Sequence, residues 1–256
     1  MRKGFSVKEE TEYIIEWIRD YFRLNNGKKA IIGISGGKDS TIIAKLCSVA
    51  LGTKNVYGVL MPNGVQSDIE DSLKVVNEFD IDFTTINIID SYISLLDQLE
   101  NCSLSSLIND VTTTNIPPRL RMTALYSVAS MFEGGRVVCT GNASEEYIGY
   151  STKWGDGCGD FAPLWNYTVS EVIEIGSYLG ISKDLIYKTP ADGLSGLSDE
   201  DNLGFTYDQL ESYMIRCTCG DTVIDEKIKN KHLYNIHKSE GINIPCPHPR
   251  FIKQRY

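Results

Sequence analysis

Apolar residues along this chain repeat with two different periods, and the switches between them mark its elements. Over residues 6–24, Val7, Thr11, Ile14, Ile15, Ile18 and Phe22 recur at three- and four-residue spacing, which predicts an amphipathic helix. Asn25-Asn26-Gly27 ends it by turn chemistry. Residues 29–34 then form a short, nearly continuous apolar run, as expected of a strand covered on both faces. Helical spacing returns with Ile42, Ile43, Leu46, Val49 and Ala50, up to Leu51 and Gly52. The alternation continues with strands at 55–61 and 82–88 and helices beginning near Ile69 and Tyr92, Ser67 or Asp68 capping the first of these. Residues 101–115 are polar and weakly patterned. Pro117-Pro118 predicts a helix start, so a helix is expected over 119–132, ended by Gly134-Gly135. A fourth strand follows at 136–140. Residues 144–163 and 189–204 read as loops, the second one mobile. Helices are expected at 170–179, 182–187, 207–214 and 225–237, and the Pro-rich end at 244–249 excludes helix.

This βαβα order predicts an α/β fold, a doubly wound and mostly parallel sheet with helices on both faces. Ligands bind such sheets beyond the strand C-termini. The segments after strands one, two and four, which begin near Ser35, Gly64 and Thr140, are therefore expected to converge. The first is the most informative. Residues 35–40 read Ser-Gly-Gly-Lys-Asp-Ser between an apolar strand and a helix. Free N–H groups and the positive end of the dipole at that helix start favour an anion. Gly36 and Gly37 let the backbone approach a phosphate, Ser35 and Ser40 add hydroxyls, Lys38 adds a cation and Asp39 could hold a metal. A Gly-Gly turn alone is ordinary in a parallel sheet; the full string is more specific. Neither a Walker A loop nor a dinucleotide fingerprint is present here.

Composition narrows the partners. The net charge of −9 argues against a nucleic-acid binder working through a general basic face. No apolar run is long enough to span a membrane, and the first seven residues lack a signal-peptide core, so a cytoplasmic protein is expected. Seven scattered cysteines read as reduced thiols. Cys217 and Cys219 are the one close pair, and a position near a helix end outweighs a metal or redox role for them.

Residues 35–40 resemble the pyrophosphate-binding loop of the N-type ATP pyrophosphatases. Further strings narrow the resemblance: Gly64-Val-Gln66-Ser-Asp68, Asn115-Ile-Pro-Pro-Arg119-Leu-Arg121-Met122, Thr140-Gly-Asn-Ala-Ser-Glu145, Tyr150-Ser-Thr-Lys153-Trp-Gly-Asp156-Gly and Asp160-Phe-Ala-Pro-Leu, then Pro190-Ala-Asp-Gly-Leu, Asp199-Glu200 and Leu203-Gly204. In this order they resemble ammonia-dependent NAD synthetase, through about residue 215.

The resemblance implies adenylation of the nicotinate carboxylate of deamido-NAD by ATP, then displacement of AMP by ammonia. It implies that Gly33, Ile34, Ser35, Gly36, Gly37, Lys38, Asp39, Ser40, Gln66 and Thr140 bind ATP. Asn115, Arg119, Lys153, Asp160, His237 and Lys238 fall at deamido-NAD positions, Asp39 and Glu145 at ligands of Mg²⁺, and Asp156 at the base that takes a proton from the nitrogen nucleophile. For each, a plainer reading stands beside this one: a helix-start acid for Asp39, a surface acid for Glu145, an exposed helix-start cation for Arg119, a turn acid for Asp156. A homodimer is implied, and the 119–132 helix could supply its surface or simply be core. The chain is expected to be one domain, 1–256, with a C-terminal extension from about 215, and without a glutaminase domain. Val169 stands where the family usually has a Lys that contacts ATP, Ala191 where it has Ser or Thr, and His237-Lys238 lies farther from Pro245 than the family spacing. These departures leave two alternatives: a paralogue amidating another carboxylate, or a tRNA-modifying enzyme with the same loop.

Overall fold

The computed structural model describes residues 2–65, 69–187, 198–238 and 244–248. The first half of the chain runs α1 (Val7–Leu24), β1 (Lys29–Gly33), α2 (Lys38–Leu51), β2 (Val56–Leu60), α3 (Ile69–Glu78), β3 (Asp82–Thr85), α4 (Ile89–Glu100) and α5 (Asp110–Ala129). It continues with β4 (Gly135–Val137), α6 (Ala143–Ile148), α7 (Val169–Tyr178), α8 (Lys183–Ile186), α9 (Asp199–Leu203), α10 (Tyr207–Arg216) and α11 (Thr222–Asn235). The four strands form one parallel sheet in the order β3-β2-β1-β4. From β1 the chain steps outward to β2 and β3, then returns to place β4 on the other side of β1. That reversal opens a crevice at the C-terminal end of β1.

Side-chain alternation along β1 divides the core. Ala30, Ile32 and Ile34 pack with Ile14, Ile18, Ile42 and Leu46 of α1 and α2 and with Val172 and Ile175 of α7. Ile31 faces the opposite way, onto Met122, Leu125 and Val128 of α5 together with Val59 and Val137. The sheet is thus covered on both faces, as its unbroken apolar strands require. A smaller cluster of Ile148, Val169, Leu203, Phe205, Leu210 and Ile228 joins α6, α7, α10 and α11 beside the main core.

Several local expectations need correction. Pro117 and Pro118 do not open α5; they lie inside it, and the helix starts at Asp110. Asn109 caps that earlier start, its side chain accepting the Thr112 N–H at 3.1 Å. The prolines leave two carbonyls of the preceding turn without backbone donors, and burial of Ile116 and Pro117 holds the helix through them. The polar 101–115 segment therefore contributes a short 3-10 turn, Ser105–Leu107, and the first turns of α5. Residues 144–163 are not all loop: they contain most of α6, capped by Asn142 with Glu145. In the 189–204 segment, residues 198–203 form a capped turn and α9; residues 189–197 lie outside the described residues, as do Ser67 and Asp68. Strands three and four are shorter than expected, and α4 begins at Ile89.

Candidate active site

The turn between β1 and α2 is held by its own serines. Ser35 Oγ lies 3.0 Å from Ser40 Oγ, and Gly37 N donates to Ser35 Oγ at 3.2 Å. Gly36 has φ +76°, and a Cβ there would stand 2.7 Å from Asp71 Cβ and 2.9 Å from Ser72 N. Glycine is needed at that position on both counts, conformation and space. Gly37 is the N-cap of α2, so Lys38 and Asp39 occupy its first turn, where the helix dipole favours an acid.

One other strand end and one helix start reach this turn. After β4, Asn142 caps α6: its Oδ1 accepts from Ser144 N and Glu145 N, each at 3.1 Å. Its Nδ2 then donates to Asp39 Oδ1 at 3.2 Å, joining the β4 and β1 loops. The same cap holds Glu145, whose Oε2 accepts from Asn142 N at 3.4 Å. From the far side comes Asp199 at the start of α9. It is buried and accepts from Tyr207 Oη at 3.2 Å and Tyr150 Oη at 3.3 Å. Lys38 sits among these acids, 5% exposed, with its Nζ 2.7 Å from Asp39 Oδ2.

The electrostatics follow from this crowding. Burial opposes the charge of Lys38, yet attraction to Asp39, then Glu145, and its hydrogen bond to Asp39 hold the ammonium above the ordinary lysine range. Scarcity of water around Glu145 and repulsion from Asp39 push its carboxyl up to about 8, with Lys38 opposing. Burial raises Asp199 as well, against the pull of Lys38 and its two tyrosine hydrogen bonds. A cleft that crowds three acids around one lysine suits a divalent cation, whose charge would favour their ionised forms. Among the described residues no three acids, histidines or cysteines converge at ligand distance of one point. One or two carboxylates completed by phosphate oxygens is the usual setting of Mg²⁺, so Asp39 and Glu145 fit that ion.

A second group of residues lies along the loop after α6. Thr152 Oγ1 donates to Asn115 Oδ1 at 2.7 Å, and Arg119 Nε donates to the Lys153 carbonyl at 3.2 Å. Lys153 Nζ donates to the His237 carbonyl. Lys238 Nζ donates to the carbonyls of Gly149 and Ser151 at 2.7 and 2.9 Å. Asp156 Oδ1 accepts from Thr152 N at 2.9 Å, and Asp156 remains exposed on the loop. The protein mass around it raises its carboxyl, against the Thr152 N–H bond and the positive charges of Lys238 and Arg121. Asp160 lies apart from these: its Oδ2 accepts from Val137 N at 2.7 Å and its Oδ1 from Tyr126 Oη at 3.3 Å.

Apart from Asp160, the expected residues that are described fall in two groups. Gly33 to Ser40, Thr140 and Glu145 surround the crevice; Asn115, Arg119, Lys153, Asp156, His237 and Lys238 follow the 149–156 loop. Gln66 and Ala191 are outside the described residues. Val169 is buried in the α6–α11 cluster, its N–H donating to Ser144 Oγ at 3.1 Å. Asn142 and Asp199 were not among the expected site residues. The spacing Asn142-x-x-Glu145 was the available signal for the first; for the second, the Asp199-Glu200 string of the resemblance and its place after the capping Ser198.

A parallel α/β sheet with an anion-binding turn at its switch point, faced by paired carboxylates and a buried lysine, defines a nucleotide-binding enzyme of the ATP pyrophosphatase type. The comparisons narrow the class. The NAD synthase family model matches residues 10–243, and the chain belongs to that family. It is 34% identical over 240 residues to an NH(3)-dependent NAD(+) synthetase of Carboxydothermus hydrogenoformans, covering 93% of this chain and 97% of that one. The enzyme of that name from Thermococcus kodakarensis is 41% identical, over 84% and 82% of the two chains. Among solved structures, an NMN synthetase from Francisella tularensis matches with a TM-score of 0.85 and 32% identity, over 94% and 99%. The family is one of ligases that form a carbon–nitrogen bond.

Proposed function

We propose that this protein makes NAD from deamido-NAD, ATP and free ammonia, in the cytoplasm and as a homodimer. The observation that carries the reading is the meeting of Asp39, Asn142 and Glu145 over the phosphate turn, in a chain so similar to ammonia-dependent synthetases. The nicotinate carboxylate attacks the α-phosphorus of ATP, and pyrophosphate leaves. Residues 35–40 receive that pyrophosphate with backbone N–H groups, two hydroxyls and the helix dipole. Asp39 and Glu145 would hold Mg²⁺, which when bound neutralises phosphate charge. Ammonia then attacks the acyl carbon, AMP leaves, and the amide remains. Asp156, raised above the ordinary carboxylate range, takes the proton released by the nitrogen.

A shallow groove of about 420 Å³ on α5 is lined by Arg119, Tyr126 and the exposed Trp154, next to Lys153 in the chain. We assign the dinucleotide and the partner subunit to that side, with Asn115, Lys153, Asp160, His237 and Lys238 as further dinucleotide contacts. Thr140 and Gln66 are assigned to ATP. A second reading comes from the likeness to an NMN synthetase: the same amidation on nicotinate mononucleotide, the acid from which NMN would form. One assay decides. The purified protein is given ATP, Mg²⁺, ammonium and either acid, and the amide and AMP are measured. Faster turnover of deamido-NAD is expected; preference for the mononucleotide establishes the second reading, and no amide from either acid refutes both.

A further inference from the structure

Lys38 has a feature that phosphate binding alone does not call for. Its ammonium is directed at a carboxylate rather than at open space above the turn. Nζ is 2.7 Å from Asp39 Oδ2, and it lies 5.8 Å from the Tyr207 ring centre, the ring whose hydroxyl bonds Asp199. The other oxygen of Asp39 already accepts from Asn142. Both oxygens of the acid assigned to Mg²⁺ are therefore engaged, one of them by a cation. The neighbouring acids Glu145 and Asp199 attract the same ammonium.

We propose that Lys38 is a placeholder cation, which occupies Asp39 in the nucleotide-free protein and gives it up to Mg²⁺ when ATP phosphates arrive. This rests on the metal assignment made above. An ammonium and a divalent ion at one carboxylate oxygen repel each other, so metal binding must displace Lys38. Among the described residues the acids that attract the ammonium are Asp39, Glu145 and Asp199, and only Asp39 hydrogen-bonds it, so without nucleotide its closest partner is the metal-site carboxylate. Triphosphate oxygens supply another acceptor. Metal and nucleotide consequently bind with positive coupling, each favouring the state with Lys38 turned away from Asp39. The lysine stem, flexible at four bonds, lets the head move without moving the turn.

The test is titration of Mn²⁺, followed by its electron paramagnetic resonance, into the wild type and the Lys38→Met and Lys38→Arg variants, without nucleotide. The wild type is also titrated with a non-hydrolysable ATP analogue present. Lys38→Met should bind nucleotide-free Mn²⁺ at least tenfold more tightly than wild type, and Lys38→Arg, which keeps the charge, should not. The melting temperature of Lys38→Met should also rise more than that of wild type on adding Mn²⁺. Lys38→Gln carries the same comparison where the Met variant does not fold. If wild type binds Mn²⁺ with the analogue but the uncharged variants bind nucleotide-free metal no more tightly, the placeholder role is overturned and the metal site stands. If no protein binds Mn²⁺ under either condition, the metal assignment falls and the placeholder with it.

Discussion

Asn142 does two jobs with one side chain, and a pair of substitutions separates them. Its Oδ1 caps α6, and its Nδ2 donates to Asp39 Oδ1 at 3.2 Å. Asn142→Ala removes both: losing the cap costs about 1 kcal/mol, and losing a buried hydrogen bond to a carboxylate costs roughly 1.5–3 kcal/mol. Asn142→Asp keeps an equally good cap but sets a second carboxylate against Asp39. Two like charges at that 3.2 Å separation cost roughly 5 kcal/mol at an effective dielectric of about 20. Binding a proton at pH 8, against an ordinary aspartate value near 4, costs about the same, so roughly 5 kcal/mol is a ceiling and side-chain rotation lowers it. The pair's folded pKa is raised above its unfolded value. The folded state therefore keeps its stability below about pH 4 and loses it as pH rises through the raised value. Urea unfolding in chelator should show Asn142→Asp losing about 3 kcal/mol at pH 8 and about 1 kcal/mol at pH 5, whereas Asn142→Ala loses about as much at either pH. Added Mg²⁺ should restore part of the aspartate variant's loss. An equal loss at both pH values, or none, would refute the link between Asn142 and Asp39.

Other substitutions probe the remaining parts of the site. Gly36→Ala, at φ +76° and with its Cβ only 2.7 Å from Asp71 Cβ, should abolish ATP binding measured by calorimetry; retained affinity would show that the turn can open. Gly149→Ala, with a Cβ 2.4 Å from Asn235 Cβ, should lift α11 from α6, exposing residues after 215 to limited proteolysis and lowering kcat at least tenfold; an intact digestion pattern would count against that packing. Asp156→Asn should lower kcat by about 100-fold or more with ATP affinity unchanged. Its wild-type pH profile should have an acid limb above the ordinary aspartate range, because the protein mass around this carboxyl raises it, and that limb should vanish in the variant.

Short-range signals read well from this chain. The strands at 29–34 and 55–61, the helices over 6–24 and 207–214, and the Gly-Gly turn depend on neighbours a few residues apart. The resemblance placed the family, which the comparisons bear out. The corrected stretches are those where two local rules competed. At Pro117-Pro118 the proline-first rule pointed to a helix start, but an Asn109 cap and burial of Ile116 carried the helix through. In the 144–163 stretch, glycines and aromatics hid a six-residue helix whose Asn-x-x-Glu cap was legible.

By itself, then, the sequence determined the period of most elements, the need for glycine in the turn and the apolar run of β1, since each depends on the chain within a few residues. Only the tertiary structure decided that Asn142 reaches Asp39, 103 positions away, that Lys238 holds the carbonyls of the 149–151 segment, and that the Lys38 ammonium lies on an acid. Those contacts follow from the strand order β3-β2-β1-β4, which brings the ends of β1 and β4 together, from α9 placing Asp199 near Lys38, and from α11 packing against α6. No spacing along the chain encodes which strands become neighbours; the burial of both faces of the sheet does.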